Sequence, residues 1–513
     1  MMKDSYNKIL YEGKILANGS SKGSFILLPN GWIAWNQIQQ LLDKKFARHG
    51  VQNVNFPTLI PYSLLKKETV HIAGFNPECF FINQIGEKRI EERLVLRPTS
   101  EVLFYDYWAK AIHSYQQLPV LYNQWCQVFR AEKNTKPLFR NTEFFWQEGH
   151  TIHSQEIEAQ ELVRKILFDY QDYVEKILCI ATITGKKTEG EKFAGAQETY
   201  TVECLLPDGQ CLQLATSHYL GSNFTGPFAV KFRNKENQLQ NAYSTSWGTS
   251  SRGLGALVAT HTDSWGLIFP FDIAPVQVAF ILVKKSPELV KYYQEICDLL
   301  KYFRCKIYDE SSRVSLNILQ ADKEGCPLKI ILGPEELKKK EITLMRRDNV
   351  EKKIVIDLTK LNEDQQKIVL AGENYIKELA KINWKQKENM VGIEEKMLDS
   401  IKKGEKIGTI SGIIFREKDE LQNNLFQKSV DFRDKHIFSI NGSQELAQKV
   451  SEGTKGLFLV AFCNILTCEE NFKKQFSSYS IRCISLEKKS LSNSKCFLCQ
   501  TKAQNMVYLG RSY

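Results

Sequence analysis

A chain of 513 residues, 43% hydrophobic and 25% charged, has the composition of a soluble globular protein and length for roughly three or four domains. Its net charge of +10 is compatible with a polyanionic partner, while no apolar run approaches the roughly 18 residues of a membrane span. The opening MMKDSYNKILYEGKIL has neither the apolar core of a secretory signal nor the acid-free character of a transit peptide, and the thirteen cysteines read as reduced thiols of the cytosol rather than as a disulfide set.

In chain order, residues 1–28 hold short helical and loop pieces, with GSSKGS as a turn-rich break. Trp35, Ile38, Leu41, Leu42 and Phe46 recur at helical spacing before Gly50, which predicts a helix from Trp32 to Phe46. VQNVNFPTLI reads as one strand, at an edge or interface because Pro57 has no N–H for a ladder. Residues 80–96 read as a hairpin. LRPTSEVLFYDYWAKAI then predicts a turn at Pro98–Ser100 and a helix capped by Thr99 or Ser100.

The segment Leu121–His150, LYNQWCQVFRAEKNTKPLFRNTEFFWQEGH, organises the rest. Its two apolar arms read as strands and Lys133–Pro137 as the loop between them. Arg130 and Arg140 stand ten residues apart, with Glu132, Glu148, Phe144, Phe145 and Trp146 around them. Guanidinium groups grip phosphate or carboxylate at two points, and an aromatic face stacks on a base. Taken alone, the pattern fits two surface arginines on an ordinary hairpin equally well.

Beyond the hairpin, Ser154–Ile177 is helical and residues 185–223 alternate turns and strands. STSWGTSSRGLGALVATHTD predicts a strand ending near Trp247, then a helix whose small residues let it lie close against a sheet. From IAPVQVAFILV onward strands alternate with helices, which predicts an α/β domain with a partly parallel sheet from Ala274 to about Leu370. A charged helical stretch, Glu363–Lys402, links it to a tail carrying Cys463-x4-Cys468 and Cys496-x2-Cys499. That spacing suits a tetrahedral zinc site, with Cys483 as a core thiol. An empty reduced cluster and adventitious disulfides are the competing readings.

RPTSE (97–101), FRAE (129–132) followed by TEFFWQEGH, then KTEGEKFAG, TSHYLG, SWGTSSRGLGAL, APVQV and a final GRSY occur in this order over nearly the whole chain. Together they resemble the prolyl-tRNA synthetases, a family of class II aminoacyl-tRNA synthetases. The resemblance implies an α+β catalytic domain on an antiparallel sheet over residues 1–273. It implies an α/β anticodon-binding domain over 274–370, then a linker helix and a small α+β zinc-binding domain over 371–513. It also implies a cytoplasmic homodimer, paired through the first helix and NFPTLI, with no membrane association. The activity implied is proline–tRNA ligation: proline and ATP form prolyl-AMP with Mg2+, the prolyl group passes to the 3' end of tRNA(Pro), and structural Zn2+ sits on Cys463, Cys468, Cys496 and Cys499.

The family's residue roles agree with the chemistry. Adenylate formation sets a carboxylate oxygen in line with the α-phosphorus and needs positive charge on the separating phosphates. The resemblance gives the catalytic roles to Arg130, bridging substrate carboxylate and α-phosphate, and to Arg252, on the γ-phosphate. Arg140 returns towards the phosphates. Glu132, expected on the same strand face as Arg130, accepts from the adenine amino group, and Phe144 stacks on adenine. Asn141, Gln213, Thr216 and Ser250 complete the ATP side, with Gln213 and Thr216 near the phosphates and magnesium. Thr99 and Glu101 take the secondary ammonium of proline, and Trp146, His150 and His218 wall its ring. Glu148 orients its neighbours, Phe193 and Gly195 shape the pocket, and Tyr513 reaches back towards it.

The chain departs from the family pattern in places. The loop between Arg130 and Arg140 is one residue shorter, Asn141 replaces a common threonine, and GLIFPFDIAP, with Phe271 and Asp272, stands where Pro-Pro-Arg is usual. No editing insertion separates the second and third motifs, as in the archaeal and eukaryotic type that some bacteria also carry. Correction of mischarged alanine would fall to another protein. Lys323, Lys329, Arg346 and Arg347 are expected as surface cations for tRNA phosphates. Two other readings remain: a non-catalytic synthetase-like tRNA-binding protein, and a class II enzyme for another amino acid. A threonine enzyme would put zinc in the pocket, a ligand pattern missing around residues 99–218.

Overall fold

The Leu121–His150 segment folds as the hairpin its pattern predicts, Val120–Phe129 pairing antiparallel with Glu143–His153 from Val120↔Ile152 to Phe129↔Glu143. The structure is a computed structural model that describes residues 2–71, 79–360, 410–487, 491 and 494–513. The chain divides into a larger unit, residues 16–28, 35–260 and 426–513, and a smaller one, residues 1–15, 29–34 and 261–425.

The larger unit is built on an eleven-stranded sheet. Five of its neighbouring strand pairs, from Thr182–Lys186 through Glu198–Leu205, Gln210–Gly221, Tyr243–Ser250 and Glu143–His153 to Val120–Phe129, are antiparallel. The helix Glu156–Asp172 covers one face, burying Val163, Ile166, Leu167 and Tyr170. Ser217 donates to the Val163 carbonyl at 2.9 Å, tying helix to sheet. The C-terminal strands extend the same sheet: Tyr479–Ser485 pairs with Thr182–Lys186, and Asn505–Ser512 pairs in parallel with the start of Gln210–Gly221. Ile183, Leu205, Cys211, Leu457 and Cys483 form one buried cluster across that junction, so Cys483 is the core thiol expected of it.

Several local expectations change in this unit. VQNVNFPTLI is two short strands, Gln52–Asn53 and Leu59–Pro61, in different sheets, with Pro57 in the irregular chain between. A residue without an N–H cannot continue either ladder. Ser100 stands at the N-cap of Glu101–Ala111 but makes no side-chain cap. Its hydroxyl accepts from Gln124 Nε2 at 2.7 Å instead. The predicted Ser154–Ile177 helix runs Glu156–Asp172 and ends in a wider π turn, Tyr173–Ile177. The small residue Gly253 does serve close approach, since a Cβ there would meet Tyr173 Oη at 2.5 Å.

The smaller unit carries a five-stranded sheet in the order Cys305–Tyr308, Val278–Leu282, Leu328–Leu332, Glu341–Arg346, Asn349–Asp357. The first three are parallel and the last two antiparallel. Helices Pro287–Leu299 and Val314–Lys323 make the crossovers that parallel pairing demands. Pro287 opens its helix and Ser286 caps it, accepting from the Leu289 N–H at 3.2 Å. Phe271 is buried against Phe303, and Asp272 pairs with Lys418 at 2.7 Å, so this departure from the family pattern serves packing.

The four cations expected on the tRNA-facing surface are not free there. Lys329 is buried against Asp322, Arg346 lies among Asp348, Glu417 and Glu420, and Arg347 grips Asp263 and Asp322. Lys323 is half-buried and pairs with Glu12 at 3.1 Å. A buried cation keeps its charge only against carboxylates, and these have them. The charged stretch Glu363–Lys402 lies outside the described residues.

Candidate active site

Motif residues far apart in sequence line one cavity of about 660 Å³ in the larger unit. Thr99, Glu101, Arg130, Glu132, Arg140, Trp146, His150, Gln213, Thr216 and His218 all face it. A recess shares Arg130, Glu132 and Arg140 with the cavity and adds Asn141, Phe144, Ser250 and Arg252. Every residue expected on the ATP or amino-acid side therefore lines one of these two neighbouring spaces.

One end is anionic. Glu101 opens its helix, where a carboxylate meets the positive end of the helix dipole, and Thr99 donates its hydroxyl to Glu101 Oε2. Glu148 is fully enclosed. Its Oε1 accepts from Gln124 at 2.7 Å, and its Oε2 accepts from the Ser100 N–H at 3.2 Å and faces His150 Nε2 at 3.1 Å. Burial works against the carboxylate charge, but these hydrogen bonds win and hold its pKa below the usual carboxylate range. His150 stacks on Phe104, with ring centroids 4.3 Å apart. His218 packs its ring on Phe193 at 4.8 Å and holds Thr199 Oγ1 at 2.9 Å through Nδ1. Burial, and secondarily His150, lower the His218 pKa to about 3, so its ring is neutral at physiological pH.

Three arginines also line these spaces, Arg130 facing Glu101 and Glu148. Arg130 leaves the hairpin strand just after Phe129, donates through Nε to the Pro98 carbonyl at 3.1 Å, and lies 5.4 Å from the centroids of both Phe144 and Trp146. Arg252 donates through Nε to the Phe139 carbonyl at 2.9 Å. Its pKa falls to about 10, first from burial and then from Arg130 and Arg140. Glu132 does not share a strand face with Arg130 as expected. The strand has ended, and the Glu132 N–H turns back to the Arg130 carbonyl at 2.8 Å. Asn141 reaches the Gly23 carbonyl at 3.4 Å through Nδ2, while its buried Oδ1 has no partner. Arg140 donates to the Tyr513 main-chain oxygen, so the final tyrosine does reach this region.

The cavity also contains residues that motif reading passed over: Lys187, Glu191, Thr199, Ser246, Trp247 and Gly248. Lys187 and Glu191 stand in KTEGEKFAG, where Phe193 and Gly195 drew attention instead. Phe193 lines the cavity; Gly195 serves the turn beside it, at φ +83°.

The four tail cysteines converge with all sulfurs within 4.8 Å of one another. Cys468 and Cys496 are 3.8 Å apart, and Cys463 and Cys499 are 3.6 Å apart. Thiolates about 2.3 Å from a tetrahedral zinc stand about 3.8 Å from each other, so the donor set and spacing fit that ion. All thirteen cysteines are free thiols in this structure.

Comparison with known proteins agrees with this geometry. Residues 83–261 match the class II tRNA synthetase core domain (G, H, P, S and T), residues 277–364 the anticodon-binding domain, and residues 444–513 the prolyl-tRNA synthetase C-terminal domain. The chain is 38% identical over 508 residues to the proline–tRNA ligase of Mycoplasma mycoides, covering 99% of this chain and 96% of that protein. It is 35% identical over 516 residues to proline–tRNA ligase 2 of Bacillus cereus, at 99% and 96% coverage. The crystal structure of Cryptosporidium parvum prolyl-tRNA synthetase with L-proline and AMP superposes with a TM-score of 0.84 at 28% identity, covering all of this chain and 95% of that one. The same enzyme with halofuginone and AMPPNP gives a TM-score of 0.85 at 29% identity, over 99% and 94% of the two chains. The chain belongs to the prolyl-tRNA synthetases, class II enzymes that ligate proline to tRNA at the expense of ATP.

Proposed function

We propose that the cavity divides the ligase reaction between its two ends. The observation that carries this reading is the charge arrangement. Arg130, Arg140 and Arg252 line one recess, where burial first and then Arg130 and Arg140 lower the Arg252 pKa, while Glu101 and Glu148 line only the larger cavity and face Arg130 from there. Crowded guanidinium groups favour a polyanion between them, and buried carboxylates favour an ammonium.

Proline would enter with its secondary ammonium at Glu101 and Thr99 and its ring against Trp146, His150 and His218. A neutral His218 suits an apolar ring better than an imidazolium would. Glu148 acts as a positioning group through His150 and the Ser100 amide. The proline carboxylate, directed by Arg130, attacks the α-phosphorus of ATP; the new C–O–P bond forms as the bond to pyrophosphate breaks. Arg252 and Arg140 hold the departing phosphates, and Phe144 and Glu132 take the adenine. No side chain need act as a strong base, because the nucleophile is already ionised. The terminal ribose hydroxyl of tRNA(Pro) then attacks the prolyl carbonyl and AMP leaves. Magnesium accompanying ATP would neutralise phosphate charge, and Gln213 and Thr216 offer the oxygen donors a hard cation prefers.

The four-thiolate site suits structural zinc: every position is filled, and none is open to substrate. We further read the chain as a cytoplasmic homodimer. Leu59, Phe81 and Ile85 stay exposed on the three-stranded sheet Leu59–Pro61, Phe81–Ile85 and Lys88–Leu96, which supports a partner surface there. No helix among the described residues is long and apolar enough to cross a membrane.

The test is pyrophosphate–ATP exchange with each of the twenty amino acids. Exchange with proline at far lower concentration than with any other supports the assignment. Absence of exchange from folded protein removes it.

A further inference from the structure

The KTEGEKFAG segment, residues 186–195 with its flanking lysine, is held from outside the catalytic motifs. Glu469, on the C-terminal helix Leu466–Gln475, is 2% exposed. Its Oε1 accepts from Thr188 Oγ1 at 2.9 Å, and its Oε2 from the Gly190 N–H at 3.3 Å. One turn later, Lys473 donates to the Gly190 carbonyl at 3.1 Å and pairs with Glu191 at 2.9 Å. Gly190 is pressed so close that a Cβ would lie 2.6 Å from Glu469 Oε1. The residues on either side of this grip, Lys187 and then Glu191 and Phe193, line the amino-acid cavity, and Phe193 stacks on His218. Glu469 follows Cys468, whose sulfur is in the four-cysteine cluster. The clamp therefore stands on the helix that the cluster anchors.

We propose that Glu469 and Lys473 are positioning residues that hold the 188–193 segment against the cavity and thereby set the affinity for the amino acid. The inference rests on the proposed reading of that cavity as the proline site. Neither residue lines the cavity. A buried carboxylate accepting from a backbone amide and a hydroxyl is a strong, directional hold, and its loss frees the wall that carries Phe193. Substrate then spends binding energy on ordering that wall, which raises KM for the amino acid while leaving the phosphate end untouched.

The experiment compares the full-length wild type with Glu469→Ala, Glu469→Gln, Thr188→Val and the Glu469→Ala/Thr188→Val double variant. Proline and ATP KM are measured by pyrophosphate exchange, amide hydrogen exchange is followed over residues 188–193, and zinc content is measured. Glu469→Ala should raise proline KM about tenfold with ATP KM changed less than about twofold, as expected for losing charge-assisted hydrogen bonds at one end of the cavity. Amides 188–193 should exchange faster, zinc content should stay unchanged, and Glu469→Gln, which keeps one acceptor oxygen, should recover much of the loss. The double variant should be no worse than the poorer single one, because both remove the same contact. Unchanged proline KM and unchanged exchange at 188–193 overturn the clamp while leaving the proline reading intact. So does an equal rise in both KM values with loss of zinc, which marks general damage. A wild type inactive with proline but active with another amino acid overturns the proline reading instead, and the hydrogen-exchange result still decides the clamp.

Discussion

Arg140 donates through Nη2 to the main-chain oxygen of Tyr513, 373 residues further along the chain. The Tyr513 ring packs on Phe139 at 4.5 Å and under the Lys136 ammonium at 4.3 Å. Its own N–H bonds to the Cys211 carbonyl at 3.0 Å, so the last residue joins the hairpin loop to the sheet. Replacing Tyr513 with alanine removes the ring contacts, and deleting it also removes the oxygen that orients Arg140. The deletion is expected to raise ATP KM several-fold, about 1 kcal/mol of lost loop order, and to leave proline KM nearly unchanged. Exchange kinetics over both substrates check this; a rise confined to proline would refute it.

Arg252→Ala should cut exchange about a hundredfold or more, the usual loss for a preorganised charge at developing negative charge. Its fold should survive, because Arg252 is repelled by Arg130 and Arg140 and its side chain is held at a loop carbonyl, that of Phe139. Circular dichroism with exchange kinetics separates the two effects. Near-normal exchange would remove Arg252 from the chemistry.

His218 carries a pH signature. The unfolded imidazole takes a proton below about 6.5, whereas the buried one resists until about 3. The unfolded state therefore binds more protons in that window, so the His218 contribution is complete above pH 6.5 and is lost as pH falls from 6.5 towards 3. At pH 5, 1.5 units down at about 1.4 kcal/mol per unit, the loss is about 2 kcal/mol. Glu148 has the opposite profile of partners but the same direction: its depressed pKa contributes above the ordinary carboxylate value and fades below it. A His218→Gln variant should show a shallower fall in melting temperature between pH 6.5 and 5 than the parent. Parallel slopes would show that His218 is not the titrating group.

Cys496→Ser should release zinc and lower the melting temperature, because binding energy of a four-thiolate site is folding energy. Cys496 and Phe497 are fully buried beside Val460 and Leu509 in the C-terminal core, so the loss should spread into the strands that extend the large sheet. Metal analysis beside a thermal melt is the check. Unchanged metal content would remove Cys496 from the site.

Much of this protein was legible in one dimension because the chemistry is local. Arg130, Arg140 and Phe144 are close in sequence and ride one hairpin, so their order survives folding. The cysteine pairs announce themselves by spacing, and the βα alternation after Ala274 announces its sheet by period. Local expectations failed where a competing contact won. Pro57 split one strand into two, and the chain turned after Arg130, which moved Glu132 off the strand.

Surface cations were the least legible. Lys329, Arg346 and Arg347 look exposed in sequence, and only their distant acidic partners, from Asp263 to Glu420, make them interior groups. Sequence by itself determined the family, the charged and aromatic residue types that line the cavity and the four clustered thiols, since each depends on side-chain chemistry at short spacing. Tertiary structure alone decided that the C-terminal strands join the catalytic sheet, that Tyr513 meets Arg140, and that Glu469 grips Thr188 and Gly190. Such contacts join residues hundreds of positions apart, and they form only because backbone hydrogen bonding and apolar burial bring two sheet edges together first.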